Sequence, residues 1–181
     1  MKNILCVLLI TMPLLGFSQS LVFFPDIKTE ERLNLKDAEL SIVFKDSRVY
    51  EKKLNEKCTK TEIFDEFANC LRRSYPNIKI NVLEENRFEE NPIKGNLTLK
   101  IDFQKYDVTF YTGMYIAYTK YDVKIVDYRN GENIIEDTIT MGEGKQLDDL
   151  AFKSAEISSN RSFKQAFDRF TSMLDKLFIV G

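Results

Sequence analysis

The sequence predicts an α+β domain: an antiparallel sheet with β-α-β-β-β-α order and two amphipathic helices packed on one face. Three observations carry that expectation. From Asn96 to Met141 the chain alternates apolar and polar residues with the period of a strand, interrupted only at turn residues. Two other stretches, Ile63–Leu71 and Phe163–Phe178, space their apolar residues three and four apart, as one face of an α-helix does. Charged, Pro- and Gly-bearing segments separate them.

The chain opens MKNILCVLLITMPLLGFSQS: a lysine, an apolar run from Ile4 to Leu15, then the small residues Gly16, Ser18 and Ser20. That is the layout of a secretory signal peptide over residues 1–20, with cleavage after Ser18 or Ser20. The apolar run falls short of the roughly twenty residues that span a bilayer. Cys6 precedes most of that run, whereas a lipid-attachment cysteine follows it, so no lipidation is expected. Residues 21–38, with LVFF, Pro25 and a charged stretch, read as a partly ordered leader, and residues 39–181 as a single α+β domain. No later run is apolar for long enough to cross a membrane, so the mature chain is expected to be exported, periplasmic or extracellular, without a transmembrane segment.

The elements follow in order. ELSIVF at 39–44 is a short strand rich in β-branched residues, and Glu51–Lys57 a solvated connection. Thr59 and Glu62 have capping-box spacing, so a helix begins there; Ile63, Phe64, Phe67, Cys70 and Leu71 form its apolar face, and Pro76 stops it. IKINVL at 78–83 alternates as a strand. The acidic EENRFEENPIKGN that follows lacks the ligand ladder of a calcium loop and reads as a solvated surface loop. The second helix is expected from Ser162, capped with Gln165, to Phe178, and residues 141–160 as a long connection with one short helical turn at most. Gly142 to Lys145 lacks the spacing of a phosphate loop.

Strand pairing can be read from parity. Leu97, Leu99, Ile101 and Phe103 are apolar on odd positions, Tyr106, Val108 and Phe110 on even ones, so one extra residue at Gln104 or Lys105 restores a single face as a β-bulge. With Thr112-Gly113 as a two-residue turn, Tyr111 faces Met114, Phe110 faces Tyr115, Val108 faces Ala117, Tyr106 faces Thr119, and beyond the bulge Phe103 faces Tyr121, Ile101 faces Val123 and Leu99 faces Ile125. A three-residue loop at Arg129-Asn130-Gly131 then sets Ile125 against Ile135, Tyr121 against Ile139 and Thr119 against Met141. It also turns Asp137 inward opposite Val123, near a wet edge, hydrogen-bonded, or functional.

The outer face of the hairpin divides in two. Lys100, Asp102, Lys120, Asp122 and Lys124 suit water, while Tyr111, Met114, Ile116 and Tyr118 near the tip need a cover. The leader at 21–38, the 142–160 connection or another molecule could supply it. These four are the candidate partner-binding residues, tyrosine and methionine being common at interfaces.

Histidine and tryptophan are absent. That excludes Ser-His-Asp and Cys-His catalysis and the usual zinc sites within this chain, so no catalytic residue, metal or cofactor is expected. A net charge of -2 offers no basic surface for nucleic acid. Cys58 and Cys70 form an even pair that could bridge in an oxidising compartment. If both lie on the first helix they stand roughly 18 Å apart, beyond disulfide reach, so a bridge requires Cys58 to fold back.

The order strand, helix, strand, meander, helix behind a signal peptide, with "YTKYDVKIVDYRNGE" as its strand-turn element, resembles small bacterial envelope lipoproteins of the transport-auxiliary and YajG-like kind. It is also similar to the amino-terminal domain of the Tol-Pal β-propeller protein. The resemblance covers residues 39 to 178 and implies a non-catalytic accessory role contacting an unknown protein or envelope component. The alternative is a small lipid or glycan ligand held by tyrosines between sheet and helices.

Overall fold

The computed structural model describes residues 25–32, 39–49, 58–92, 96–129, 133–146 and 151–180. The 1–20 signal segment, Glu51–Lys57 and the Asn130-Gly131 turn lie outside them. The elements are β1 (Glu39–Asp46), α1 (Lys60–Ser74), β2 (Lys79–Leu83), a 3-10 turn (Glu85–Arg87), β3 (Leu97–Tyr111), β4 (Met114–Asp127), β5 (Asn133–Gln146) and α2 (Ala151–Val180).

The five strands form one sheet in the order β2-β1-β3-β4-β5. The fold is α+β as expected, with β3, β4 and β5 antiparallel, and parallel pairing is added where β1 runs beside β2 and β3. The cause lies in the connections. A helix between β1 and β2, and the segment across the sheet before β3, each carry the chain back to the end at which the preceding strand began, which is what a parallel pair requires.

The expected registers are present from Leu99↔Ile125 through Phe103↔Tyr121 to Tyr111↔Met114, with the shift between Phe103 and Lys105. Thr112 and Gly113 both have positive φ, 43° and 80°, the mirror-image turn whose twist matches two paired strands. On the next pair Ile125↔Ile135, Val123↔Asp137, Tyr121↔Ile139 and Thr119↔Met141 also hold.

Both helices lie on the face carrying Leu99, Ile101, Phe103, Tyr121, Val123 and Ile139, where Ile63, Phe67 and Leu71 of α1 meet Phe163, Phe167, Phe170 and Leu174 of α2. Phe67 sits at the centre, edge-on to Phe103, Tyr121 and Phe167 at 5.8, 5.6 and 5.2 Å. The capping box of α1 is present, the Thr59 amide donating to Glu62 Oε2 at 2.7 Å.

The second helix is longer than its apolar repeat. It starts at Ala151, so Ser162 is an interior residue and no cap, and 142–146 belongs to β5, not to a connection. The first three turns turn serines to the sheet: Ser154, Ser158, Ser159 and Ser162 are buried. They replace apolar contact with hydrogen bonds, Ser159 Oγ donating to Tyr106 Oη at 2.9 Å and Ser162 Oγ to Met141 O at 3.0 Å. A buried serine face escapes a reading that looks for apolar periodicity.

Two strand ends close in the same way. Arg48 places Nε and Nη2 on the carboxylate of Asp46 at 2.7 and 2.9 Å, with Nη2 also donating to Cys58 O at 3.1 Å. Arg129 repeats the fork on Asp127 at 2.9 and 2.7 Å. Each Asp accepts the amide of the arginine two residues on, at 3.3 and 3.0 Å, so the fork also fixes the turn out of the strand.

Candidate interaction surface at the hairpin tip

The β3-β4 hairpin outruns the helix layer. Val108 and Ala117 are buried against Ala155 of α2, whereas Phe110, two residues nearer the tip, is 50% exposed and Tyr111 64% exposed. Phe110 and Tyr115 lie on the helix side, with ring centroids 5.1 Å apart, and Tyr115 packs against the Val108, Ala117 and Ala155 cluster while Phe110 stays half exposed. The tip therefore presents aromatic rings on both faces.

On the outer face the structure brings Tyr111, Met114, Ile116 and Tyr118 together, Tyr111 exposed and the other three half-buried. Their contacts come from the strands on either side. Lys105 Nζ lies 4.5 Å from the centroid of the Tyr118 ring, a cation–π contact, and 3.5 Å from Asp107 Oδ2. On β5, Gly142 opposes Tyr118 and Gly144 opposes Ile116. A Cβ at Gly142 would stand 3.0 Å from Tyr118 Cε1, and one at Gly144 3.5 Å from Met114 Sδ. Glycine at 142 thus lets the Tyr118 ring lie down over β5 instead of standing off it.

Neither own-chain cover proposed from the sequence lies there among the described residues. Residues 25–32 cross the helices: Ile27 enters the core, the Arg32 amide donates to Ser74 O at 2.7 Å, and its guanidinium meets Asp175 at 2.5 Å. Residues 142–146 are strand and 151–160 are helix on the opposite face.

The other half of the outer face is covered from within. The acidic segment after β2 folds over it, and Lys100 Nζ donates to Phe88 O at 2.5 Å and Glu90 O at 2.7 Å. Burial, with Lys124 adding to it, lowers the Lys100 pKa against the opposing pull of Glu89 and Glu90. Sequence reading missed this lid because its anchors are main-chain carbonyls. Beside it lies a shallow trough of about 650 Å³ lined by Asp102, Asp122, Lys124, Glu136 and Thr138. Like charges face each other across the hairpin here, Lys100↔Lys124 and Asp102↔Asp122. Third partners relieve them: Lys124 meets Glu136 at 2.5 Å, Thr138 Oγ1 donates to Asp122 at 2.7 Å, and Ser47 Oγ to Asp102 at 2.9 Å.

Solved structures similar to the chain include small bacterial lipoproteins. Rare lipoprotein B from Shewanella oneidensis is 11% identical over 77% of this chain and 96% of that one, with a TM-score of 0.43. A minor lipoprotein from Acinetobacter baumannii is 11% identical over 74% and 90%, TM-score 0.42. Protein XCC0632 from Xanthomonas campestris is 12% identical over 84% and 91%, TM-score 0.49. The functional reading rests on the surface itself. No protein-family model and no curated protein matches the chain. Among the described residues, no helix is long and apolar enough to cross a membrane.

The remaining candidates resolve as structure. Asp137 lies at the β5 edge, its carboxylate 3.2 Å from Arg169 Nη2 and accepting the Thr138 amide at 2.8 Å. Cys58 and Cys70 are separate buried thiols, so the bridge offered from their even number is absent. Cys58 does leave the helix, preceding its cap, but it stays on the first turn's side while Cys70 is three turns further along. Burial raises both thiol pKa values, that of Cys58 to about 12. Tyr106 and Tyr121, which a ligand pocket between sheet and helices would need, are packed instead: Tyr106 edge-on to Phe163 at 5.8 Å, Tyr121 against Phe67 and Phe103.

Proposed function

We propose that this chain is an exported, envelope-associated and non-catalytic binding module that contacts a protein or envelope partner through Tyr111, Met114, Ile116 and Tyr118. The observation that carries the reading is the placement of these four on one face of a hairpin tip that outruns the helices. Large apolar and aromatic groups held together at a surface mark interaction sites, and tyrosine loses little side-chain entropy on binding. Export rests on the 1–20 segment. The non-catalytic reading rests on the lack of imidazole, on thiols too basic to act as nucleophiles near neutral pH and on an Asp137 already held by Arg169.

The test is the double variant Tyr111→Ser/Tyr118→Ser. Neither side chain belongs to the core, so the circular dichroism spectrum and melting temperature stay close to the parent. Capture of a partner from an envelope extract is lost. Capture at the parent level by a folded variant refutes the assignment.

A further inference from the structure

We propose that two copies of this chain join through the far end of β5, residues 142–146, running antiparallel about a two-fold axis at Gly144. The inference rests on the reading of the hairpin tip as an interaction surface and names a second copy as a molecule that meets it.

β5 is an edge strand, with β4 on one side only. The two-residue turn makes Tyr111 and Met114 the hydrogen-bonded closing pair of the hairpin, so odd residues of β4 point their amides at β5. Pairing then aims the odd residues of β5 back at β4 and leaves the N–H and C=O groups of the even residues on the open side. Thr138 obeys this: its outward amide is capped by the Asp137 carboxylate at 2.8 Å. The strand thus guards its own middle. Beyond it, no described residue accepts from the outward amides of Thr140, Gly142 or Gly144, and the segment carries no proline and no bulge, the usual defences of an edge.

Self-pairing is selected by charge. Outward groups meet only if even residues face even residues, so the two-fold axis falls on a residue. An axis at Glu143 opposes two glutamates. An axis at Gly144 sets Glu143 of each copy against Lys145 of the other, in a non-hydrogen-bonded pair, where side chains approach most closely. Lys145 has no carboxylate partner among the described residues, while Glu143 meets only Arg161 at 3.4 Å and Gln165 at 3.1 Å. The outer face gains continuity as well. Ile116 lies beside Gly144, so the two glycines adjoin at the axis with an Ile116 on either side, and each Met114, opposite Gln146, lines up with Gly142 and Tyr118 of the other copy. The two tip patches then adjoin across a floor of four glycines, with a Gln146 beside each Gly142.

The test is the mass of the full chain, purified after export, by light scattering and sedimentation over a concentration series into the high micromolar range. The parent is a dimer. Lys145→Glu opposes glutamates twice and Glu143→Lys opposes lysines twice; each weakens association by about tenfold. The double variant Glu143→Lys/Lys145→Glu restores it. Gly144→Pro removes an outward amide without touching the β4 ladder, and a Cβ there has ordinary contact with Met114, so it gives a folded monomer. Circular dichroism and melting verify the fold of each variant. A parent that is monomeric throughout, or a dimer indifferent to all four changes, overturns the proposal. A monomer that still loses partner capture on Tyr111→Ser/Tyr118→Ser leaves the tip reading standing; a dimer whose capture ignores those changes does the reverse.

Discussion

Two core tyrosines differ in one respect, and that difference sets opposite signs for the same substitution. Tyr121 is 1% exposed, and its hydroxyl has no hydrogen-bond partner among Phe67, Phe103 and their neighbours. Burial drives its pKa well above the ordinary phenol value, with Asp168 adding to the rise. A buried hydroxyl without a partner costs about 1–3 kcal/mol in proteins. Tyr121→Phe deletes that oxygen and keeps the ring contacts, so it stabilises the fold by about 1 kcal/mol after allowance for the small void left. Tyr106 is 3% exposed, but its hydroxyl accepts from Ser159 Oγ at 2.9 Å. Tyr106→Phe removes that buried hydrogen bond and destabilises by about 1 kcal/mol. For a chain of this length each kcal/mol moves the melting temperature by roughly 2–4 °C, so the two variants separate by several degrees in calorimetry or urea unfolding. Tyr121→Phe melting below the parent, or both variants shifting the same way, would show that the Tyr121 hydroxyl is bonded and refute the reasoning.

Further outcomes follow from other buried groups. Asp46→Ala removes the carboxylate fork from the guanidinium of Arg48, 5% exposed, which keeps its bond to Cys58 O, and lowers unfolding stability by about 1–3 kcal/mol in urea titration; a loss under about 0.5 kcal/mol would count the fork as surface decoration. The fork of Arg129, with burial opposing it, holds the Asp127 pKa below 3.8, so its stabilisation is complete above the ordinary carboxylate range and vanishes as pH falls through the lowered value; Asp127→Asn flattens the acid limb of the stability–pH curve. Cys58 and Cys70 resist a thiol reagent in the native chain at neutral pH and both react after unfolding without reductant; finding them absent from the unfolded, unreduced count would establish a bridge. Asp137→Asn leaves stability within about 0.5 kcal/mol, since the pair with Arg169 is surface-exposed, and a larger effect on function than on folding would make Asp137 a functional residue.

The meander was legible in the sequence because three constraints overlap on it. Side-chain parity, a glycine-bearing turn and the refusal of Lys124 or Asp122 to face a core leave a single register, and the bulge between Phe103 and Lys105 is the one device that satisfies all three. Where fewer constraints acted, the reading slipped. The start of α2 offered apolar periodicity and a Ser162–Gln165 cap spacing that lies inside the helix, while Ser154, Ser158, Ser159 and Ser162 bury a polar face that gives no periodic signal. The pairing of β1 between β2 and β3 depends on how far two connections travel, which residue types do not encode. The candidate surface was half legible: parity assigned Tyr111, Met114, Ile116 and Tyr118 to one face, but their exposure depends on where the leader and the 142–160 segment go.

That exposure has a physical logic along the sheet. Over β1 and the near half of β3 the outer face carries Ser41, Val43 and Thr98, all buried, and the lid after β2 supplies backbone carbonyls that Lys100 clamps. The same lid could not serve the tip, where no lysine stands among Tyr111, Met114 and Ile116 to hold carbonyls and the strands lengthen past the end of β1. A face of rings beside a glycine edge is satisfied by apolar side chains carried on a strand, which brings both apolar cover and partners for the outward amides of β5. Main-chain pairing and ring contact are therefore coupled demands at this tip. A partner that met only one of them would leave either the Thr140, Gly142 and Gly144 amides or the Tyr118 ring to water.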